Sequence, residues 1–279
     1  MLLLASAACS DASGSPTQDQ EPVDSVEADL TSDSVEGTIA NYLAPGTPRQ
    51  VVFAAYDEGL DTIEASLNAW KPSRPLPSHR IAGTNCVKTV NPGGLAGNVP
   101  GPPMSLVAQY DAKTVSMVTG PKGFQITEVD RPTNDVMRLR FGLAGTPLPV
   151  RLPVARAITV TSPSILDDGS TVLHAATGIH FTWTSPARTR LGMVSMVIES
   201  SDFKNGLPGG NLYEGITCFA RAASGSGSIP SAALRQFTPR GSTTVSVSHQ
   251  HRIDRVAANG WRVRAESEAW SYGGDAILQ

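Results

Sequence analysis

Long apolar runs are missing from this chain. None of its 279 residues fall in a stretch of eighteen consecutive apolar side chains, so no segment reads as a membrane-spanning helix. Charge is sparse at 17% and aromatics at 6%. Lys and Arg do not gather into the clusters that follow a phosphate backbone, which argues against nucleic acid as a partner. Cysteine occurs three times, at Cys9, Cys86 and Cys218, and never as C-x-x-C. That excludes the usual zinc and thioredoxin-type spacings. Basic residues are absent from Ser10 to Pro48, where eight acids stand.

What is present is glycine (26), proline (21) and short runs rich in Thr, Ser and Val. Such composition suits many short strands joined by turns. From Arg49 onward the pattern has period two. In Thr62–Trp70, Ile63, Ala65, Leu67 and Ala69 share one face, while Glu64, Ser66, Asn68 and Trp70 share the other. Val51–Tyr56 precedes it across Asp57-Glu58-Gly59, and the two runs read as a hairpin. Similar runs follow at Asn85–Val90, Ser105–Tyr110, Thr114–Val118, Gly123–Val129 and Val136–Phe141. The second half adds Arg156–Thr161, Gly178–Thr184, Gly192–Ser200, Glu214–Arg221, Thr243–His251 and Gly260–Trp270. Only Pro230–Phe237 reads as a helical turn, with proline at its entry. The expected fold is all-β: an antiparallel β-sandwich of two packed lobes, 49–147 and 148–279, divided near Gly145-Thr146-Pro147-Leu148-Pro149.

The N-terminal order carries a resemblance. Met1–Ala8 is apolar and ends in small residues before Cys9, and an acidic, Ser/Pro-rich stretch follows. This resembles the signal segment of a bacterial lipoprotein, in which the cysteine is lipidated and becomes the mature N-terminus. The resemblance implies a membrane anchor at Cys9, with residues 1–9 as the signal segment. Ser10, in place of the Asp that favours inner-membrane retention, implies an outer-membrane or cell-surface destination. Residues 10–48 then read as an acidic, disordered linker. The body after it carries a balance of +5, from 22 basic and 17 acidic residues.

The second half resembles a sandwich module of secreted proteins and lipoproteins of myxobacterial type. The matching residues are Pro153–Pro163, His180-Phe181-Thr182-Trp183-Thr184, Gly215-Ile216-Thr217-Cys218-Phe219 and Ser226–Pro230; the first half adds Asn85-Cys86-Val87. The resemblance implies an immunoglobulin-like or fibronectin-like fold of unknown function, with no catalytic residue attached. In it Trp183 faces a cysteine-bearing strand at the centre of a core.

Few residues suggest chemistry. With Cys9 lipidated, Cys86 and Cys218 form an even pair. They read either as separate buried thiols or as a disulfide clipping the two lobes together. His249 and His251 share one strand face, which suits either a solvated surface or a metal whose third ligand would come from His174, His180, Asp254 or Glu266. Asp167-Asp168-Gly169-Ser170 reads as a turn, lacking the alternating ligands of a calcium loop. Gly93, Gly94, Gly97 and Gly101 form no phosphate cradle, and Ser224–Ser228 forms no nucleophile elbow. Trp70, Trp261 and Trp270 fall on or near polar-facing positions and could stack on sugar rings; alternatively all four indoles pack in the cores. No cofactor or metal is expected. The functional expectation is a non-enzymatic, lipid-anchored envelope protein with a structural, adhesive or ligand-binding role, its partners envelope proteins or glycans. The alternative is a hydrolase of polysaccharide or peptide with its site on the sandwich loops.

Overall fold

The structure is a computed structural model. It describes residues 34–43, 50–57, 62–71, 78–91, 99–100, 104–119, 124–143, 146–164, 171–185, 191–202, 212–239, 242–257 and 261–279. Helix α1 is Val35–Leu43 and α2 is the short turn Ser231–Leu234. The early strands are β1 (Gln50–Asp57), β2 (Thr62–Lys71), β3 (Ser78–Arg80), β4 (Cys86–Asn91) and β5 (Val99–Pro100). Next come β6 (Ser105–Tyr110), β7 (Lys113–Val118), β8 (Phe124–Asp130), β9 (Val136–Leu143) and β10 (Thr146–Pro153). Then follow β11 (Thr159–Ser162), β12 (Thr171–Leu173), β13 (Ile179–Thr184), β14 (Met193–Asp202), β15 (Leu212–Arg221) and β16 (Ser226–Ile229). Two long strands end the chain: β17 (Ser242–Val256) and β18 (Arg262–Leu278).

The chain folds as an all-β sandwich of two lobes. One wide sheet runs β3-β4-β15-β14-β17-β18-β1-β2-β5, with β8 on β2 and β12 on β18. Two smaller sheets cover it: β10-β9-β6-β7 over one end and β11-β13-β16 over the other. The first core holds Phe53, Leu67, Leu106, Phe141, Leu152 and Val263; the second holds Phe181, Trp183, Ile198, Cys218, Ile229 and Val247. The β17–β18 hairpin serves both. On β17, Val245 and Val247 belong to the second core and Ile253 to the first. On β18 the core-facing parity changes, from Val263 and Ala265 in the first core to Tyr272 and Ala276 at the second. A bulge makes this possible: Val247 pairs with Tyr272, but Ser248 pairs with Trp270, so Ser271 is the extra residue. One inserted residue reverses which face a strand presents.

The lobes interleave along the chain. β3 and β4 precede residue 147, yet β4 pairs with β15 and Cys86 lies in the second core. One sheet therefore runs through the expected boundary at 147/148. The Pro-containing segment placed there is itself a strand, β10, at the sheet edge. Its Leu148, Val150 and Leu152 face the core, and Pro147, Pro149 and Pro153 alternate with them. Proline has no N–H to donate, so this parity turns the prolines' nitrogens away from β9 and blocks the free edge against further pairing. Most pairing is antiparallel, as expected, but β1 and β12 each run parallel to β18.

The expected hairpin is present as β1–β2, and the turn entered at Pro230 is α2. Residues 35–43 correct the expectation of a linker disordered from 10 to 48. They form α1 because the Ser34 hydroxyl accepts from the Gly37 N–H (2.9 Å), a cap on an otherwise open first turn. Val35 and Ile39, four apart, then pack on Val87, Met193 and Phe219. Glu36, one of the eight acids, is held by both oxygens to Arg80 at 2.6 and 2.7 Å.

Candidate functional site

Cys9, Asp167–Ser170 and the glycines 93, 94, 97 and 101 lie outside the described residues. Cys86 and Cys218 are register partners on β4 and β15, with Cα atoms 4.0 Å apart and sulfurs bonded at 2.01 Å. The bond stays inside the second lobe and does not bridge the two cores, because β4 belongs to that lobe. Ser224 ends a 3-10 turn beside Gly225, and its hydroxyl donates to the Arg221 and Ser226 carbonyls; this is turn chemistry.

His249 and His251 are buried, not solvated, at 0% and 3% exposure. They meet edge to face at 4.9 Å where the two cores join. Nδ1 of His249 faces the Arg156 carbonyl (2.9 Å) and Nε2 faces the Leu191 carbonyl (2.7 Å). Both ring nitrogens are occupied by backbone, which leaves none for a metal. Gly192 permits the close approach: its φ is +89°, and a Cβ there would meet His249 Nε2 at 2.9 Å. The named third ligands do not join them: His174 and His180 are exposed, and Asp254 and Glu266 lie on the opposite strand face. Together with Ser267 and Ser271, His249 fastens the crossing segment 153–158. The Ser267 hydroxyl donates to the Pro153 carbonyl and accepts from the Ala155 N–H; the Ser271 hydroxyl accepts from the Ile158 N–H.

Trp183 is buried as expected, its indole N–H donating to the Ala222 carbonyl at 2.9 Å. Trp261 is also buried, in the first core, while Trp270 is 54% exposed. The Trp70 side chain lies outside the described residues. Among the described indoles one, Trp270, is open to solvent and Trp261 is withdrawn into the core.

A charged layer covers the outer face of β17 and β18 in the first lobe. The Asp254 carboxylate accepts from Nε of Arg252 (3.1 Å), Arg262 (3.1 Å) and Arg264 (3.2 Å), all largely shielded from water. Burial pushes the Glu266 carboxyl above its ordinary pKa against the pull of Arg252, and burial does the same to Glu268. Burial, aided by Glu266 and Glu268, pushes the Tyr56 hydroxyl up to about 12. Raised carboxyls often mark functional sites, but they also arise in structural networks. Here the Glu268 carboxylate is taken by the Ser248 hydroxyl.

The opposite surface of the first lobe is different in kind. The outward row across the small sheet runs Arg151–Arg138–Gln109–Thr114, one residue per strand. Arg140 lies two residues from Arg138 on the same face. At the β6–β7 turn this row opens into a cleft of about 390 Å³, with Asn134 on its rim and Lys113 at the turn. No outward residue of these four strands is acidic. Asp111, at the turn, has its carboxylate drawn to the Thr133 N–H (3.0 Å) and hydroxyl (2.7 Å), which holds it below the usual range. Lys113 is paired with Asp130. No carboxylate of the described residues pairs with Arg138, Arg140 or Arg151, and the buried Nε of Arg151 has no acceptor. Sequence reading misses this face: the arginines are scattered along the chain, and only strand pairing brings them together.

No protein-family model matches the chain, and no curated protein matches it. Among solved structures it is similar to one from a 1.5-MDa bacterial ice-binding adhesin, at 11% identity, 83% of this chain, 65% of that one and TM-score 0.19. A second is a Ca2+-stabilized adhesin of an Antarctic bacterium, at 13% identity, 82% of this chain, 49% of that one and TM-score 0.19. The D0–D1 domain of Intimin is a third, at 13% identity, 78% and 97% coverage and TM-score 0.18. The chain thus spans less than two thirds of either ice-binding adhesin structure. At these TM-scores the likeness is too slight to bear on function, which has to be read from this chain's own geometry.

Proposed function

We propose that this protein is a non-enzymatic, lipid-anchored component of the bacterial cell envelope with an adhesive or ligand-binding role at the cell surface. The observation that carries the reading is the fusion of two lobes through one unbroken hairpin, which presents the acid-free arginine face on a stiff support. Lobes joined only by a linker would swing independently; here β17 and β18 run through both cores. The N-terminal order supports the anchor: Cys9 after small residues, then an acidic stretch rich in Ser and Pro. A bonded Cys86–Cys218 pair suits an oxidising compartment outside the cytoplasm.

Metabolic labelling with an alkyne fatty acid tests the anchor. The expected result is a labelled, membrane-associated protein that becomes unlabelled and soluble on Cys9→Ser. A product that is unlabelled and soluble with or without the substitution sinks the anchor. Attachment of cells with and without the gene tests the role; equal attachment to every surface tried sinks adhesion.

A further inference from the structure

We propose that the outer face of β6, β7, β9 and β10 binds the carboxylates of an acidic polysaccharide, with Arg138 and Arg151 as the paired contact and Arg140 as the adjacent one. This deepens the adhesive reading and takes from it only the source of the ligand.

Arg138 and Arg151 are direct partners across the β9–β10 ladder. Like charges in that position repel. A carboxylate between the two guanidiniums removes that repulsion, since each offers a planar fork matched to its oxygens. The row then continues into Gln109 and Thr114, whose amide and hydroxyl suit the hydroxyls of a sugar. Lys113 is held by Asp130, and Thr133 holds the Asp111 carboxylate at the turn, at the far end of the row from Arg151. The alternating prolines of β10 deny the adjoining edge to a peptide that would add itself as a strand. The face is open and spans a whole sheet, and its four strands carry no acid; Asp111 stands only at the turn end of the cleft.

The test is affinity electrophoresis of the full chain through gels holding polygalacturonate, dextran or polyphosphate. Retardation is expected in polygalacturonate, with none in dextran and less in polyphosphate at equal charge. Arg138→Ala with Arg151→Ala should weaken binding roughly tenfold or more. Arg138→Lys with Arg151→Lys should weaken it less but clearly, because the charge remains and the fork is lost. Arg221→Ala with Arg235→Ala, exposed on the second lobe, should leave it unchanged. Circular dichroism of each variant separates lost binding from lost fold.

Several results overturn the proposal. One is equal retardation by polygalacturonate and polyphosphate together with equal losses in the two alanine pairs, which is unspecific attraction. Another is no retardation of the folded chain in polygalacturonate. A third is binding that appears only when the acids of residues 10–33 are replaced by amides, which assigns the face to the chain's own acidic segment. Failure here with intact cell attachment leaves the adhesive reading standing. Polygalacturonate binding by a protein that carries no fatty acid sinks the anchor alone.

Discussion

The two lobes reach stability by different means. The second closes around Phe181 and Trp183, is bonded through Cys86–Cys218 and buries the Lys88–Glu214 ion pair at 2.7 Å. Glu214 also accepts from the Thr238 N–H (2.8 Å), which ties the segment after α2 to β15. The first lobe has no disulfide among its described residues. It packs Phe53, Phe141 and Trp261 with many smaller side chains and locks its hairpin end through Asp254 and three arginines. The lobe with the covalent tie shows polar turn chemistry on its surface. The lobe held by packing and charge carries the open cationic face. The arginine face is thus built on strand interiors of a lobe held by hydrogen-bonded ladders and packing.

Removing the covalent tie should have the largest effect. Cys86 and Cys218 are 132 residues apart in sequence, and in the chain-entropy model such a loop contributes about 4–5 kcal/mol by constraining the unfolded chain. Cys86→Ala with Cys218→Ala should lower stability by that order in guanidinium titration. Trp183 and Trp261, one buried in each core, report the lobes separately once each is studied with the other three of the four indoles replaced by Phe. Coincident transitions would show that the shared hairpin keeps the lobes cooperative; a separate, earlier Trp183 transition would show that the bond held the second lobe alone.

Trp183→Ala should cost about 3–5 kcal/mol, through lost packing and loss of the shortest of the hydrogen bonds to the Ala222 carbonyl. A loss under about 1 kcal/mol by the same titration would remove Trp183 from the centre of the second core.

Asp254→Asn tests the first lobe's charge lock. Three guanidiniums would lose their shared carboxylate, and a cost near 3 kcal/mol is expected, at the lower end for a broken buried pair because the cluster is partly hydrated. Thermal melts over a range of salt would show it. An unchanged melt would reduce the network to a surface feature.

Glu266 gives the smallest effect and the opposite sign. Its pKa is raised in the folded protein, so folding takes up protons and the charged carboxylate opposes folding at neutral pH. Glu266→Gln should therefore raise the melting temperature at pH 7. That advantage should fade as pH falls through the raised folded value, and should be gone below the ordinary value of 4.5. A variant less stable than wild type at pH 7 would show that attraction to Arg252 outweighs burial.

Much of the fold is legible in the sequence. Period-two runs such as Ser105–Tyr110 and Val136–Phe141 fall within a residue or two of β6 and β9, because one buried face demands alternation whatever its partner. Short strands without such a run, β3, β5, β12 and β16, are not legible. β10 reads as a boundary because its prolines are turn signals unless the strand lies at an edge. α1 reads as linker because it closes a stretch of eight acids without a basic residue, while its cap and the pair Val35 and Ile39 have no partner visible in sequence.

The sequence by itself determined the class: all-β, with Phe181 and Trp183 inside. Those properties depend on local alternation and composition. Only the tertiary structure decided that the lobes share β17 and β18, that His249 joins backbone segments, and that Arg138 and Arg151 stand side by side. Each depends on register between distant segments, and register is set by the packing of both cores at once.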